Sequence, residues 1–150
     1  MSKTGYKRKK TIEQVDVDNK RVLMRVDFNV PLNRKHEISD DRRIRLAVES
    51  IRSVISRGGI CVLMSHLGRP AGTGPEPGLS LKIVVDHLKE LMPDAGISMA
   101  PGACDSPEAA AAVASAKRGS VIVLENLRFN SGEKAGSRIF SEKLAKLGDI

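Results

Sequence analysis

The sequence predicts an α/β fold: a parallel sheet with helices on both faces, in a Rossmann-like three-layer arrangement. Short apolar runs rich in Val, Ile and Leu recur along the chain, compact enough for strands buried on both sides. Between them lie segments whose apolar residues repeat at helical spacing. No internal repeat and no linker divides the 150 residues.

The elements follow in order. Arg21–Phe28 (RVLMRVDF) reads as the first strand. Ser39, Asp40 and Asp41 then offer helix caps. Ile44, Ala47, Val48, Ile51, Val54 and Ile55 keep helical spacing until Gly58 and Gly59 stop them. Ile60–Ser65 (ICVLMS) is the second strand, followed by a Gly- and Pro-rich loop, Gly68–Gly78, expected to be exposed and mobile. Ser80 is placed to cap a second helix carrying Val84, Val85, Leu88, Leu91 and Met92 on one face, ended before Pro93. Ile97–Ala100 is a weaker strand. Ser106, Pro107 and Glu108 form a helix start with a capping hydroxyl, a proline and an acid, and the alanines after it carry the helix to Gly119. Val121–Glu125 is the next strand and Arg138–Leu147 the last helix. At Gly148-Asp149-Ile150 a further strand begins, so the domain is expected to be incomplete.

Composition narrows the function. The net charge is +7, but Lys3, Lys7, Arg8, Lys9 and Lys10 supply five of the 25 basic residues without an acid among them. The remainder of the chain balances 20 basic against 18 acidic residues. Residues 1–10 are thus a basic head, read as a solvated, mobile terminus or as a targeting or RNA-contacting patch, on a nearly neutral body. Aromatics are 3%, with no Trp, too few for a stacking surface on single strands, and nucleic acid is not the expected partner. The apolar runs fall far short of a membrane span, and no apolar segment follows the basic head as a secretory signal would require. A cytoplasmic monomer with no membrane contact is expected. Cys61 and Cys104 lie far apart with no partner at metal-ligand spacing, and His36, His66 and His87 are scattered; no metal site is expected in this chain.

In parallel sheets ligands bind beyond the carboxyl ends of the strands. The first strand runs into Asp27-Phe28-Asn29-Val30-Pro31, the second into Ser65-His66-Leu67-Gly68-Arg69-Pro70, and the Val121 strand into Glu125-Asn126-Leu127-Arg128. Arg42 and Arg43 fall in the first turn of a helix, where the macrodipole disfavours cations and an anionic ligand would relieve the repulsion. Arg43, His66, Arg69 and Arg128 together suit phosphate and carboxylate groups, which the planar guanidinium fork matches. Each residue also has a plainer explanation. Arg43 or Arg69 alone can be a solvated charge, and Asp27 a turn former or the partner of an arginine. His66 can be a satisfied core histidine, Asn126 a ligand for loop backbone, and Glu125 the partner of an arginine. No phosphate loop of the G-x-x-x-x-G-K-[ST] type, no G-x-G-x-x-G and no G-x-S-x-G elbow is present; Gly72-Thr73-Gly74 and Gly132-Glu133-Lys134 do not satisfy them. The residues alone describe an anion site without a nucleotide site.

At these positions the chain resembles the N-terminal domain of the phosphoglycerate kinases. The resemblance rests on Arg25–Leu32 (RVDFNVPL), Met64–Pro70 (MSHLGRP), Leu124–Phe129 (LENLRF) and Arg43-Ile44 after Asp40-Asp41, in family order, from about Thr11 to Ile150. It implies a glycolytic phosphotransferase moving a phosphoryl group from 1,3-bisphosphoglycerate to ADP, reversibly, giving 3-phosphoglycerate and ATP. Residues 11–150 would be a partial triose-binding domain of a two-domain kinase. The nucleotide-binding C-terminal domain, with its contacts to Mg2+ and ADP or ATP and its catalytic lysine, would be absent. Carried onto this sequence, Asp27 and Asn29 contact the glycerate end, with Val26 and Phe28 beside them. His66, Arg69 and Arg128 hold the phosphate, flanked by Ser65, Gly68 and Leu127. Arg43 lies nearest the transferring group, as the catalytic residue, and Arg42 beside it either adds to the attraction for the anion or is merely exposed. The chain departs from the family in length, in Arg42 where a neutral polar residue is common, in a shorter loop after Phe129 and in its basic head. No turnover is expected from this chain alone. The competing expectations are a non-catalytic relative that binds RNA or another polyanion through Arg42, Arg43 and the head, and an unstable remnant without activity.

Overall fold

The computed structural model of the chain describes residues 9–150. Of the basic head, Lys3, Lys7 and Arg8 lie outside the described residues, while Lys9 and Lys10 are exposed. The chain runs through β1 (Arg21–Arg25), α1 (Arg42–Ser56), β2 (Ile60–Met64), α2 (Lys82–Leu91), β3 (Ile97–Met99), α3 (Pro107–Ala114), β4 (Val121–Val123), α4 (Ser131–Ala135) and α5 (Arg138–Ala145). The four strands form one sheet in the order β1-β2-β4-β3, every pair parallel.

The apolar runs make strands because both of their faces are covered. Cys61 and Leu63 of β2 enter one core with Val121 and Val123 of β4, packed under Ile44, Ile51 and Val54 of α1 and Val84, Val85 and Leu88 of α2. Ile60 and Val62 face the opposite way with Ile122 and Leu124, against Ala109 and Val113 of α3 and Phe140 and Leu144 of α5. A period-two sequence with no polar phase therefore sits between two helical layers, as the α/β reading expects. The helices leaving β1 and β2 cover one face and those leaving β3 and β4 the other. Neighbouring β2 and β4 thus send their chains to opposite sides of the sheet.

Several boundaries differ from the sequence reading. The first strand ends at Arg25 rather than Phe28. Val26 still donates to Met64 O at 3.1 Å, but Asp27 Oδ1 then accepts from Asn29 N and Ser65 Oγ from Phe28 N, so side chains replace the ladder. Helix α3 stops at Ala114 rather than Gly119, because Lys117–Ser120 turns back toward β4 with Gly119 at φ +78°. Ser106 caps it as expected, accepting from Ala109 N. Helix α2 is capped differently: Ser80 Oγ receives only Lys82 N at 3.2 Å, and Glu125 at the end of β4 accepts from Leu81 N at 2.9 Å. The Gly- and Pro-rich loop is pinned, with Gly74 N donating to Phe129 O, Ala71 N to Glu76 and Thr73 bridging Asn130. Residues Asp149 and Ile150 make ladder hydrogen bonds to Arg21 and Leu23 on the free edge of β1.

Candidate functional site

The charged crevice lies where β1 and β2 end and α1 begins. Its walls are Arg25, Val26, Asp27, Asn29, Arg43 and His66, around a volume of about 340 Å³. The local backbone explains the gathering. Phe28 is fully buried and anchors the turn after β1, which leaves Asp27 and Asn29 on either side of it at the surface. Asn29 Oδ1 accepts from Gly68 N at 2.9 Å, tying the end of β1 to the end of β2, where Gly68 takes a φ of +66° that glycine adopts at no steric cost. Arg43, in the first turn of α1, donates through Nη1 to Asn29 O at 2.6 Å and to Asp27 Oδ1 at 3.3 Å.

His66 lines this crevice half-buried. Its burial, then the Arg128 and Arg25 guanidiniums, hold its pKa below the usual histidine value, against the opposing charges of Glu133 and Asp27. At neutral pH the ring is uncharged and offers one donor and one acceptor. Arg128 sits on a short 3-10 turn, Leu127–Phe129, beyond β4; its N–H is fixed by Asn126 Oδ1 and its Nε donates to Glu133 Oε2 at 3.0 Å. Arg25 meets the same carboxylate from the other side, Nη2 to Oε1 at 3.0 Å.

The expected site residues thus divide. Val26, Asp27, Asn29, Arg43 and His66 come together, and Arg128 stands close enough to bear on His66. Arg69 is exposed and is not among the walls. Phe28, Ser65 and Leu127 are buried beneath the site, where Ser65 Oγ also donates to His66 O at 3.3 Å. Arg42 is turned to Asp40, 2.6 Å away, with its side chain 85% exposed. The repulsion expected at the start of α1 is therefore relieved within the chain: Asp40 pairs Arg42, Asp27 pairs Arg43, and Asp41 at the N-cap pairs Arg45 and His87. Two of the plainer readings hold. Asp27 is both a turn former and an arginine's partner, and Asn126, 1% exposed, spends its amide on Leu67 O and Leu79 O. Among the described residues Glu125 pairs no arginine, since Ser80 Oγ, Leu81 N and Asn126 N occupy its carboxylate. Arg25 and Glu133 are additions to the residues that the sequence marks. Arg25 stands inside the predicted first strand and opens the Arg25–Leu32 motif, yet neither reading marks it as a site residue; nothing local marks Glu133. Among the described residues no three His, Cys, Asp or Glu gather as a metal ion would need, and no helix is long and apolar enough to cross a membrane.

A family model described as phosphoglycerate kinase matches residues 12–150. The phosphoglycerate kinase of Rhodopirellula baltica is 51% identical over 143 residues, covering 94% of this chain and 35% of that protein. That of Chloroflexus aurantiacus is 50% identical over 142 residues, covering 95% and 35%. Among solved structures, the phosphoglycerate kinase of Coxiella burnetii superposes with a TM-score of 0.77 at 28% identity, over 92% of this chain and 33% of that one. The enzyme from Pyrococcus horikoshii gives 0.76 at 27% identity, over 91% and 34%. The chain spans about a third of the length of the relatives it matches. With strands, order of motifs and structure in agreement over residues 12–150, the chain belongs to the phosphoglycerate kinase family.

Proposed function

We propose that this chain supplies the triose-binding half of a phosphoglycerate kinase, which transfers a phosphoryl group reversibly between 1,3-bisphosphoglycerate and ADP to give 3-phosphoglycerate and ATP. The observation that carries this reading is the crevice at the carboxyl ends of β1 and β2, where Arg25, Arg43 and His66 face Asp27 and Asn29. Phosphoryl transfer asks a protein for alignment and for compensation of spread negative charge more than for covalent help. Asp27 and Asn29 bind the glycerate end, His66 with Arg128 and Arg69 holds the phosphate, and Arg43, half-exposed at the mouth, balances charge on the transferring group. Arg43 is already held by Asn29 O, so little side-chain freedom remains to be lost on binding.

Residues 11–150 act in this proposal as a partial triose-binding domain of a cytoplasmic, monomeric enzyme. Mg2+ and ADP or ATP are assigned to a second domain not contained in these 150 residues, since the crevice offers no acidic cluster for the metal. There Mg2+ would neutralise phosphate charge. A polyanion-binding relative is less well supported, because Arg42, which it would use beside the head, is paired with Asp40.

Calorimetry with 3-phosphoglycerate tests the site. Arg43→Ala and Arg128→Ala should each abolish measurable binding, since a charge-assisted contact contributes about 1.5–3 kcal/mol and the fragment has few others. Unchanged affinity in both variants would place the site elsewhere. A coupled assay on the chain alone should show no turnover; rates typical of the family would overturn the two-domain assignment.

A further inference from the structure

An acid beside a site meant for an anion needs a reason. Glu133 lies on α4, with its side chain only 10% exposed. Its place is fixed by the local sequence. Asn130 caps α4 by accepting from Gly132 N at 2.8 Å, and Gly136 ends it in the left-handed conformation at φ +62°. Gly132 lets the turn lie close on α5, where a Cβ would stand 2.8 Å from that of Phe140. Burial alone would raise the pKa of Glu133, but the Arg25 and Arg128 guanidiniums bring it below the usual carboxylate value, so it is ionised at neutral pH.

The two arginines come from β1 and from the turn after β4, and β2, which carries His66 at its end, lies between those strands. Glu133 therefore bridges across the end of β2. It takes one nitrogen from each partner, Nη2 of Arg25 and Nε of Arg128. Neither Nη of Arg128 enters a hydrogen bond among the described residues, so the guanidinium fork stays available. Without the bridge, two like charges and two long side chains would spread apart.

Resting on the reading of the crevice as a triose-phosphate site, we infer that Glu133 is its positioning residue: it holds Arg25 and Arg128 across the end of β2 and leaves the fork of Arg128 for the ligand's phosphate. Charge and position make opposite demands here. Removing the acid makes the crevice more positive and, on charge alone, tightens anion binding; loss of position weakens it.

The test uses the full chain with Glu133→Gln and Glu133→Asp. The glutamine keeps the shape but presents one oxygen and a donor, so it can serve only one arginine. Calorimetry with 3-phosphoglycerate should show affinity falling about tenfold or more in E133Q, the loss of one charge-assisted contact, and falling less in E133D. Two readouts need no ligand. The Arg128 Nε–H proton should be protected from exchange in the parent chain and exchange faster in E133Q, because the charge that holds it is gone whichever arginine the amide oxygen serves. The Arg25 guanidinium protons should likewise exchange faster, because Nη2 loses the same carboxylate. Equal or tighter binding by a folded E133Q overturns the inference, as do unmoved Arg25 and Arg128 signals. If the parent chain fails to bind 3-phosphoglycerate, the functional reading falls, and the ligand-free spectra still decide whether Glu133 holds the two arginines.

Discussion

Two crevices open at the same carboxyl edge of the sheet, and they differ in how far their polar groups are already engaged. The first, at β1, β2 and the start of α1, holds Arg25, Arg43 and His66 in about 340 Å³. The second, about 260 Å³ beside the ends of β3 and β4, is walled by Gly74, Pro75, Gly102, Ala103, Cys104 and Phe129, with Glu125, Asn126 and Asn130 among them. In the second the polar atoms have partners within the fold. Glu125 caps α2, Asn126 holds two loop carbonyls, and Asn130 donates to Asp105 while capping α4. In the first, Arg25 and Arg43 are paired with Glu133 and Asp27, but both side chains remain about half exposed, and His66 makes no side-chain hydrogen bond among the described residues. A crevice with available cations can recognise an anion; one whose polar groups hold the fold together mainly keeps it in shape.

The comparison breaks most readily at Phe28. It is fully buried beneath the charged crevice and fixes the turn that separates Asp27 from Asn29. Phe28→Ala should cost about 3–5 kcal/mol in urea unfolding, from lost burial and the cavity left behind. Binding of 3-phosphoglycerate should weaken in the same variant while the β3–β4 side keeps its packing. A cost below about 1 kcal/mol would mean that the turn does not depend on this anchor.

Asn126 supplies the next largest effect, from the second crevice. Asn126→Ala leaves Leu67 O and Leu79 O without their donor and removes the acceptor for Arg128 N. Leaving buried backbone groups unpaired should cost about 1–3 kcal/mol. Because Arg128 N is one of the groups released, anion affinity should fall too, so the structural crevice also supports the charged one. A destabilised variant with parental affinity would show that the two are independent.

What the sequence reveals of this arrangement follows the range of the interactions. Strand ends are legible because apolar runs stop at polar residues, and the start of α3 is legible because Ser106, Pro107 and Glu108 are consecutive. The gathering of Asp27, Asn29, Arg43 and His66 follows from parallel topology, which places strand ends on one edge. The Arg25–Glu133 pair joins positions 108 apart, and Glu125 caps a helix 44 residues before it. No local pattern encodes either contact. The antiparallel bridge of Leu32 and Ile38, with His36 at φ +60°, is similarly hidden because no glycine marks its turn. Arg42 misleads the sequence reading for the opposite reason: it looks unpaired in a first turn, yet its partner Asp40 lies two residues away.

The smallest effect sharpens the comparison through cysteine chemistry. Cys104 lines the second crevice and is 2% exposed; Cys61 lies in the core on β2. Burial pushes both thiols up to about 12, with the Asp105 charge adding to the shift at Cys104. The thiolate is the form that reacts, so at pH 7.5 each should alkylate more than about a thousandfold more slowly than an exposed cysteine. Iodoacetamide should therefore label neither residue in the native chain and both in urea. The informative measurement is the order of labelling as urea rises. If both appear together at the unfolding midpoint, the wall at Gly102–Cys104 opens only with the whole domain and the second crevice is part of the core. If Cys104 labels well before Cys61, the Gly102–Asp105 segment opens by itself, and the second crevice yields locally instead of holding the fold in shape.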